Sequence, residues 1–366
     1  MGSGALKPST VRRAAAALKT AAHFSGRNGD PHTQHLLRII QPIAPHLAAV
    51  ESALMRQVDG FDVSVQEYIR YAVEGHGKRL RPVLALLSGG ACGKIGRGHI
   101  DLSVIVEMIH LATLVHDDVI DEAQMRRSKP TANSRWGNQI PVLVGDCLFA
   151  HSLKLAASYS TTEVCRKISE ATNTVCAGEI LQTRERFNFD LTLEEYLRVV
   201  EMKTAALFAV SCELGAYLSG AGKTETAALR DYGLALGTAY QIYDDCVDIF
   251  GDEPQAGKSL GTDADSGKLT LPLLLVLREA EEGERNRLRS LLQQDAMAHR
   301  EQIASAAARN GAVTGTMNLI EQYTQRAVAS LKPLKATEFS ESLRQLPEFL
   351  WQRSRAVMPR RSSRSV

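Results

Sequence analysis

Two stretches, 115-VHDDVIDEAQMRRSKPT-131 and 240-YQIYDDCVDIFGD-252, concentrate acid with the same Asp-Asp-x-x-Asp spacing. Residues four apart on a helix share a face, so Asp117 and Asp121 point one way with Asp118 beside them, and Asp244, Asp245 and Asp248 repeat the pattern. Carboxylates this close repel, and their pKa values rise unless cations are present. Mg²⁺ suits such a group: it takes oxygen ligands, keeps several waters, and is typically held by one or two carboxylates plus substrate phosphates. One acidic cluster alone is most often a solvated helix end. Two copies, each following an apolar approach and each accompanied by basic residues, predict a divalent-cation site.

The basic residues are also grouped. The segment 75-GHGKRLRPVL-84 offers Lys78, Arg79 and Arg81 just where Pro82 suits the first turn of a helix, and a helix N-terminus flanked by cations is an anion site. Arg126 and Arg127 follow the first acidic set, and Lys203–Thr204, Lys258 and Lys268 complete the series. Any one lysine belongs on a surface. Together they call for a phosphorylated ligand, with cations and arginines sharing its pyrophosphate oxygens.

Helices must position these groups. The segments 101–121, 163–187 and 225–250 carry apolar residues at three- and four-residue spacing, with Asp101 and Thr192 as expected N-caps and Glu195 completing a capping box. No strand alternation bounded by turn pairs and no Gly-rich phosphate loop stands out. No Pro-, Gly- or Ser-rich linker divides 34–350, so the reading is one all-α domain. Residues 1–33 and 351–366 are read as disordered basic tails.

Composition narrows the function. The 366 residues are 44% hydrophobic with a net charge of +2, which gives no global electrostatic case for nucleic acid. The six cysteines are scattered without a Cys-x-x-Cys pair, which implies reduced thiols, no zinc site and a cytoplasmic setting. No apolar run is read as long enough to span a bilayer, which takes about 20 residues. The first 29 residues hold Lys7, Arg12, Arg13, Lys19 and Arg27 and no acid, so a solvated tail competes with a mitochondrial or plastid transit peptide. The Arg-rich C-terminus is a solvated tail or a weak contact to anionic lipid.

In this order and spacing, GKRLRP at 77–82, the first acidic motif with Arg126–Arg127, Lys203–Thr204, the second acidic motif preceded by Gln241, and Lys258 resemble the trans-isoprenyl diphosphate synthase (polyprenyl synthetase) family over roughly residues 45–345. The resemblance implies a helical bundle around a deep cavity, a homodimer, and head-to-tail condensation of isopentenyl diphosphate onto an allylic diphosphate. It implies Mg²⁺, replaceable by Mn²⁺, with three ions when substrate is bound. Asp117, Asp118 and Asp121 would hold metal on one side, and Asp244, Asp245 and Asp248 on the other. Lys78, Arg81, His110 and Arg127 would bind isopentenyl diphosphate. Arg126, Lys203, Lys258 and Lys268 would bind the allylic diphosphate, with Thr204 and Gln241 lining the region where the allylic cation forms. His76, Ser128 and Tyr240 depart from the family pattern but remove no charged ligand; His116 is read as structural.

The residues upstream of Asp117 bear on product length. Ala112 and Thr113 are small where short-chain members of the family place an aromatic floor, and Ile109 and Met108 one turn deeper are not aromatic either. Each helical turn deepens a cavity by about 5.4 Å, so the expected product is a medium- to long-chain all-trans polyprenyl diphosphate of roughly seven to ten units, as used for quinone side chains. Geranylgeranyl or farnesyl diphosphate synthesis is the alternative. A class I terpene cyclase has no use for a second diphosphate site, and non-catalytic subunits of heteromeric synthases lose aspartates that are complete here.

Overall fold

The computed structural model describes residues 31–74, 77–126, 129–252, 260–309 and 311–359. Among the described residues the regular structure is helical except for one two-residue ladder. Its helices are α1 (Pro31–Ile40), α2 (Ala44–Gln57), α3 (Gln66–Val73), α4 (Leu80–Cys92), α5 (Arg97–Ile120), α6 (Ala132–Trp136), α7 (Gln139–Ala157), α8 (Thr162–Arg184), α9 (Leu193–Val200), α10 (Ala206–Leu218), α11 (Lys223–Phe250), α12 (Thr262–Asp265), α13 (Leu271–Glu279), α14 (Glu282–Gln294), α15 (Arg300–Arg309), α16 (Ala312–Ser330) and α17 (Glu338–Val357). The ladder is antiparallel, with β1 (Met125–Arg126) paired to β2 (Lys129–Pro130).

The expected single domain resolves into two compact units. One comprises the described residues within Met1–Thr172, Leu207–Gly233 and Ser330–Leu346, the other those within Asn173–Ala206, Leu234–Ala329 and Pro347–Val366. Linker composition could not reveal this division, because several of its boundaries fall inside helices such as α8 and α11.

In the first unit α5 is the central element, packed by α2, α4 and α7. Every residue from Leu102 to Ile109 is buried, including Glu107. A helix apolar on all sides is a core helix. Its N-cap lies five residues earlier than expected, at Gly96, whose N–H donates to His99 Nδ1 at 3.1 Å. Asp101 therefore sits inside the helix, where it accepts from Arg97 Nε at 2.9 Å, an i,i+4 pair. By length and composition α5 and α7 are apolar enough to cross a bilayer, which corrects the expectation from the sequence; α5 is mostly buried, as the core helix of a folded protein is.

The second unit has its own core. Tyr196 and Val200 of α9, Ile242, Cys246 and Ile249 of α11, and the leucines of α13 pack together with Leu288, Leu292 and Ile320. The expected cap of α9 is present: Thr192 Oγ1 accepts from Glu195 N–H at 3.2 Å while Glu195 Oε2 accepts from Thr192 N–H at 2.9 Å. Ordered helix reaches into both expected tails. Helix α1 starts at Pro31 and Thr33 is buried, while α17 continues to Val357, with Ser354 buried and Trp351 and Met358 on the second core. Residues 350, 354 and 358 recur at helical spacing, and the surrounding Arg and Ser residues masked that pattern. Of the arginines in the Arg-rich C-terminus, Arg353 and Arg355 are thus helical, and Arg360, Arg361 and Arg364 lie outside the described residues.

Helices α4 and α10 approach closely: a Cβ at Gly215 would lie 2.4 Å from the Ala85 carbonyl oxygen. Gly215→Ala should therefore push them apart and lower the unfolding free energy by about 1–3 kcal/mol. Denaturant melts check this, and an unchanged midpoint would mean that the contact relaxes at no cost.

Candidate active site

Both acidic triads occupy the C-terminal turns of long, buried helices. Asp117 and Asp118 lie in the last turn of α5 with Asp121 as its C-cap, and Asp244, Asp245 and Asp248 lie in the last turns of α11. The helix dipole is negative there, so carboxylates at this end add to repulsion that a cation relieves.

The carboxylates of a triad are not equivalent. Asp117 and Asp121 are half-buried, whereas Asp118 is buried and accepts from Arg126 Nε at 2.6 Å. Burial raises the Asp118 pKa above the ordinary carboxylate value, with Arg126 opposing and Asp117 and Asp121 adding to the rise. Burial works against the charge on Arg126, but Asp118, Asp117 and Asp121 outweigh it and raise its pKa. Arg126, expected on a diphosphate, is thus held by the motif itself at the start of the β1–β2 ladder. Arg127 and Lys258 lie outside the described residues.

The second triad divides in the same way. Asp244 is half-buried, while Asp245 and Asp248 are buried. Asp245 accepts from Tyr196 Oη at 2.6 Å and from Gln241 Nε2 at 2.8 Å, and Gln241 Oε1 accepts from Thr204 Oγ1 at 2.7 Å. Asp248 accepts from Asp263 N–H at 3.3 Å and from Thr262 Oγ1 at 3.4 Å, anchoring the segment that leads to Lys268. Two expected metal ligands, Asp245 and Asp248, are therefore engaged by the protein. Arg300 caps the end of α11, donating to the carbonyls of Asp248 at 3.3 Å and Gly251 at 2.6 Å.

Lys203 and Thr204 sit in a π-helical turn, Glu201–Ala205, a widening of the helix often found at functional sites. Gly178 of α8 makes room for it: a Cβ there would meet the Lys203 backbone nitrogen at 2.7 Å. Lys203 pairs with Glu179 and donates to Gln182 Oε1 at 2.9 Å. Lys268 is buried, 3.9 Å from Asp263 Oδ1.

The GKRLRP segment splits by role. Arg79 has left-handed backbone, φ 49°, and a buried side chain paired with Glu51 and Glu107 at 2.7 Å each. Burial disfavours its charge, but the two glutamates outweigh that and hold its pKa above the ordinary value. It is a structural cation, not part of an open anion site. The Arg81 guanidinium lies 4.9 Å from the centre of the Phe208 ring, at the start of α4. His110 is half-buried on α5. His116 is structural as expected: its Nε2 donates to the Val142 carbonyl at 2.9 Å and its ring fills the space above Gly145.

The four residues expected at the chain-length wall differ in exposure. Ala112 and Met108 are wholly buried and Ile109 is 1% exposed. Thr113 alone of the four is half-buried, its hydroxyl donating to the His110 carbonyl at 2.8 Å. Position five before Asp117 faces the core because of helix phase, which spacing alone leaves open.

Tyr196, Glu179, Gln182, Glu51 and Glu107 escaped the sequence reading. Only Glu107 had a signal, as a lone charge inside the apolar run 104-VIVEMIHLA-112. Among the described residues no three acidic, His or Cys side chains form a ready-made metal cage. Asp117 and Asp121 in the first unit are half-buried, as is Asp244 in the second, and carboxylates of that kind suit a hard cation that uses few of them and completes its shell with phosphate and water.

The Polyprenyl synthetase family model matches residues 62–309, and the chain belongs to that family. It is 36% identical to the octaprenyl diphosphate synthase of Escherichia coli over 322 residues, 88% of this chain and 100% of that one. A polyprenyl synthase from Caulobacter crescentus, crystallised with calcium and isoprenyl diphosphate, is 33% identical with a TM-score of 0.81, covering 86% of this chain and 96% of its own. A decaprenyl diphosphate synthase from Rhodobacter capsulatus is 35% identical with a TM-score of 0.79, covering 88% and 99%. The protein is a transferase with the all-α fold of these synthases.

The Asp245 environment has a measurable consequence in the metal-free protein. Burial, then the charge of Asp263, pushes its pKa up from 3.8 to about 8, with Tyr196 and Gln241 opposing. The folded state then keeps a proton that the unfolded chain loses, so stability is full below about pH 4 and falls as pH rises through about 8. Unfolding measured in chelator across that window should show the decline, and Asp245→Asn should flatten it.

Proposed function

We propose that this transferase condenses isopentenyl diphosphate head-to-tail onto an allylic diphosphate and releases an all-trans polyprenyl diphosphate of medium to long chain. One observation carries the reading: two acidic triads at the negative ends of buried helices, each with basic side chains placed beside it by the same fold unit. The named activities of the relatives, octaprenyl and decaprenyl synthesis, support the chain length.

In this reading Asp117, Asp121 and Asp244 hold Mg²⁺, which supplies Lewis-acid stabilisation of the departing pyrophosphate. Arg126, Lys203 and Lys268, with Arg127 and Lys258, hold the allylic diphosphate. Lys78, Arg81 and His110 hold isopentenyl diphosphate. The allylic C–O bond breaks and pyrophosphate leaves. The double bond of isopentenyl diphosphate then forms the new C–C bond, and the adjacent carbon loses a proton to the released pyrophosphate. Thr204 donates to Gln241, so its lone pairs remain to face developing positive charge. Asp118, Asp245 and Asp248 act from behind, fixing Arg126, Gln241 and the segment leading to Lys268.

A homodimer is part of the proposal. Leu143, Ala150, Leu153 and Ala157 form an exposed apolar stripe along α7 at near-heptad spacing, a seam suited to a second helix. The cytoplasm is the proposed site of action, in keeping with thiols such as Cys212 and Cys246 that are buried in the core.

The decisive assay supplies labelled isopentenyl diphosphate and an allylic primer. Product should vanish with excess chelator and return with Mg²⁺ or Mn²⁺, and its mass should correspond to roughly seven to ten units. Full turnover in chelator would defeat the metal role, and a farnesyl product would defeat the chain-length reading alone. Thr113→Phe should shorten the product, whereas Ala112→Phe, in a packed core, should cost about 1–3 kcal/mol of stability, seen as a lowered melting temperature.

A further inference from the structure

Arg79 stands between Lys78 and Arg81 in sequence, yet its side chain is 5% exposed and turned into the protein. Its Nε donates to Glu51 Oε1 of α2 and its Nη1 to Glu107 Oε1 of α5, both at 2.7 Å. The backbone of Arg79 is left-handed at φ 49° and ψ 33°, as N-cap of α4. A non-glycine residue there persists only where surrounding contacts over-determine it. The two carboxylates on its guanidinium are those contacts. Glu107 is itself buried, and its Oε2 has no hydrogen-bond partner, so Arg79 is the cation that offsets a charge inside α5.

The placement of Glu107 gives the triad a bearing on binding. It lies three residues before His110, hence on the same face of α5 one turn away. One guanidinium therefore ties the segment bearing Lys78, and the first turn of α4 bearing Arg81, to the turn of α5 that bears His110.

We propose that Arg79 is a positioning residue for isopentenyl diphosphate. The Glu51–Arg79–Glu107 triad sets the start of α4 against α5 so that Lys78, Arg81 and His110 converge on one diphosphate. This rests on the assignment of those three residues under the proposed function. The fork of a guanidinium is essential to it: a lysine keeps the charge but offers one compact ammonium with no fixed pair of directions.

The test is steady-state kinetics of the full-length Arg79→Lys and Glu107→Gln enzymes with Mg²⁺, varying each diphosphate in turn, beside thermal melts. Both variants should raise the KM for isopentenyl diphosphate on the order of tenfold, with the KM for the allylic primer within about twofold of wild type. An unchanged isopentenyl diphosphate KM, or an equal rise in both KM values that tracks a lowered melting temperature, overturns the proposal. Should Arg79→Lys not fold, Glu51→Gln, which alters the half-exposed partner, is read by the same criterion. Lys78→Ala separates the two levels of argument. A normal KM in Lys78→Ala removes the site assignment, whereas a raised KM there with a normal one in Arg79→Lys removes only the positioning role.

Discussion

Carboxylates gathered at the negative end of a helix are held there against electrostatic repulsion. Both α5 and α11 terminate in that way, and much of the architecture around them manages the consequence. Arg126 folds back onto Asp118, and Arg300 caps the last carbonyls of α11. Asp117, Asp121 and Asp244 stay half-buried, and carboxylates so placed suit divalent cations.

The inward-facing aspartates show how the repulsion is divided. Asp118, Asp245 and Asp248 are buried and hydrogen-bonded by their own fold unit, so each triad contains outer groups suited to a cation and inner groups that orient neighbours. The relay from Tyr196 through Asp245 and Gln241 to Thr204 fixes which way the amide and hydroxyl point. Buried networks of this kind specify one arrangement when every member is satisfied. The π-helical turn at Lys203 and the close pass of Gly178 belong to the same economy of space.

Much of this was legible in the residues. The helices of the acidic motifs, the capping box at Thr192 and Glu195, and the family followed from spacing and residue type, because helical periodicity and capping are local properties. The N-cap at Asp101 failed because a competing local contact, His99 to Gly96, starts the helix earlier. The end of α17 was hidden because arginines on its exposed side diluted an apolar pattern that only matters against a core.

By itself the sequence determined the all-α class, the two acidic motifs and the family to which they point, since carboxylate spacing and basic clusters act over a few residues. Tertiary structure decided which aspartates turn inward, that Arg79 is a buried strut and not a ligand, that Ala112 packs in the core, and that the chain condenses into two units. These outcomes depend on helix phase and on partners tens of residues away, such as Glu107 for Arg79 and Tyr196 for Asp245. Burial is set by what packs across a helix, and no local pattern encodes it.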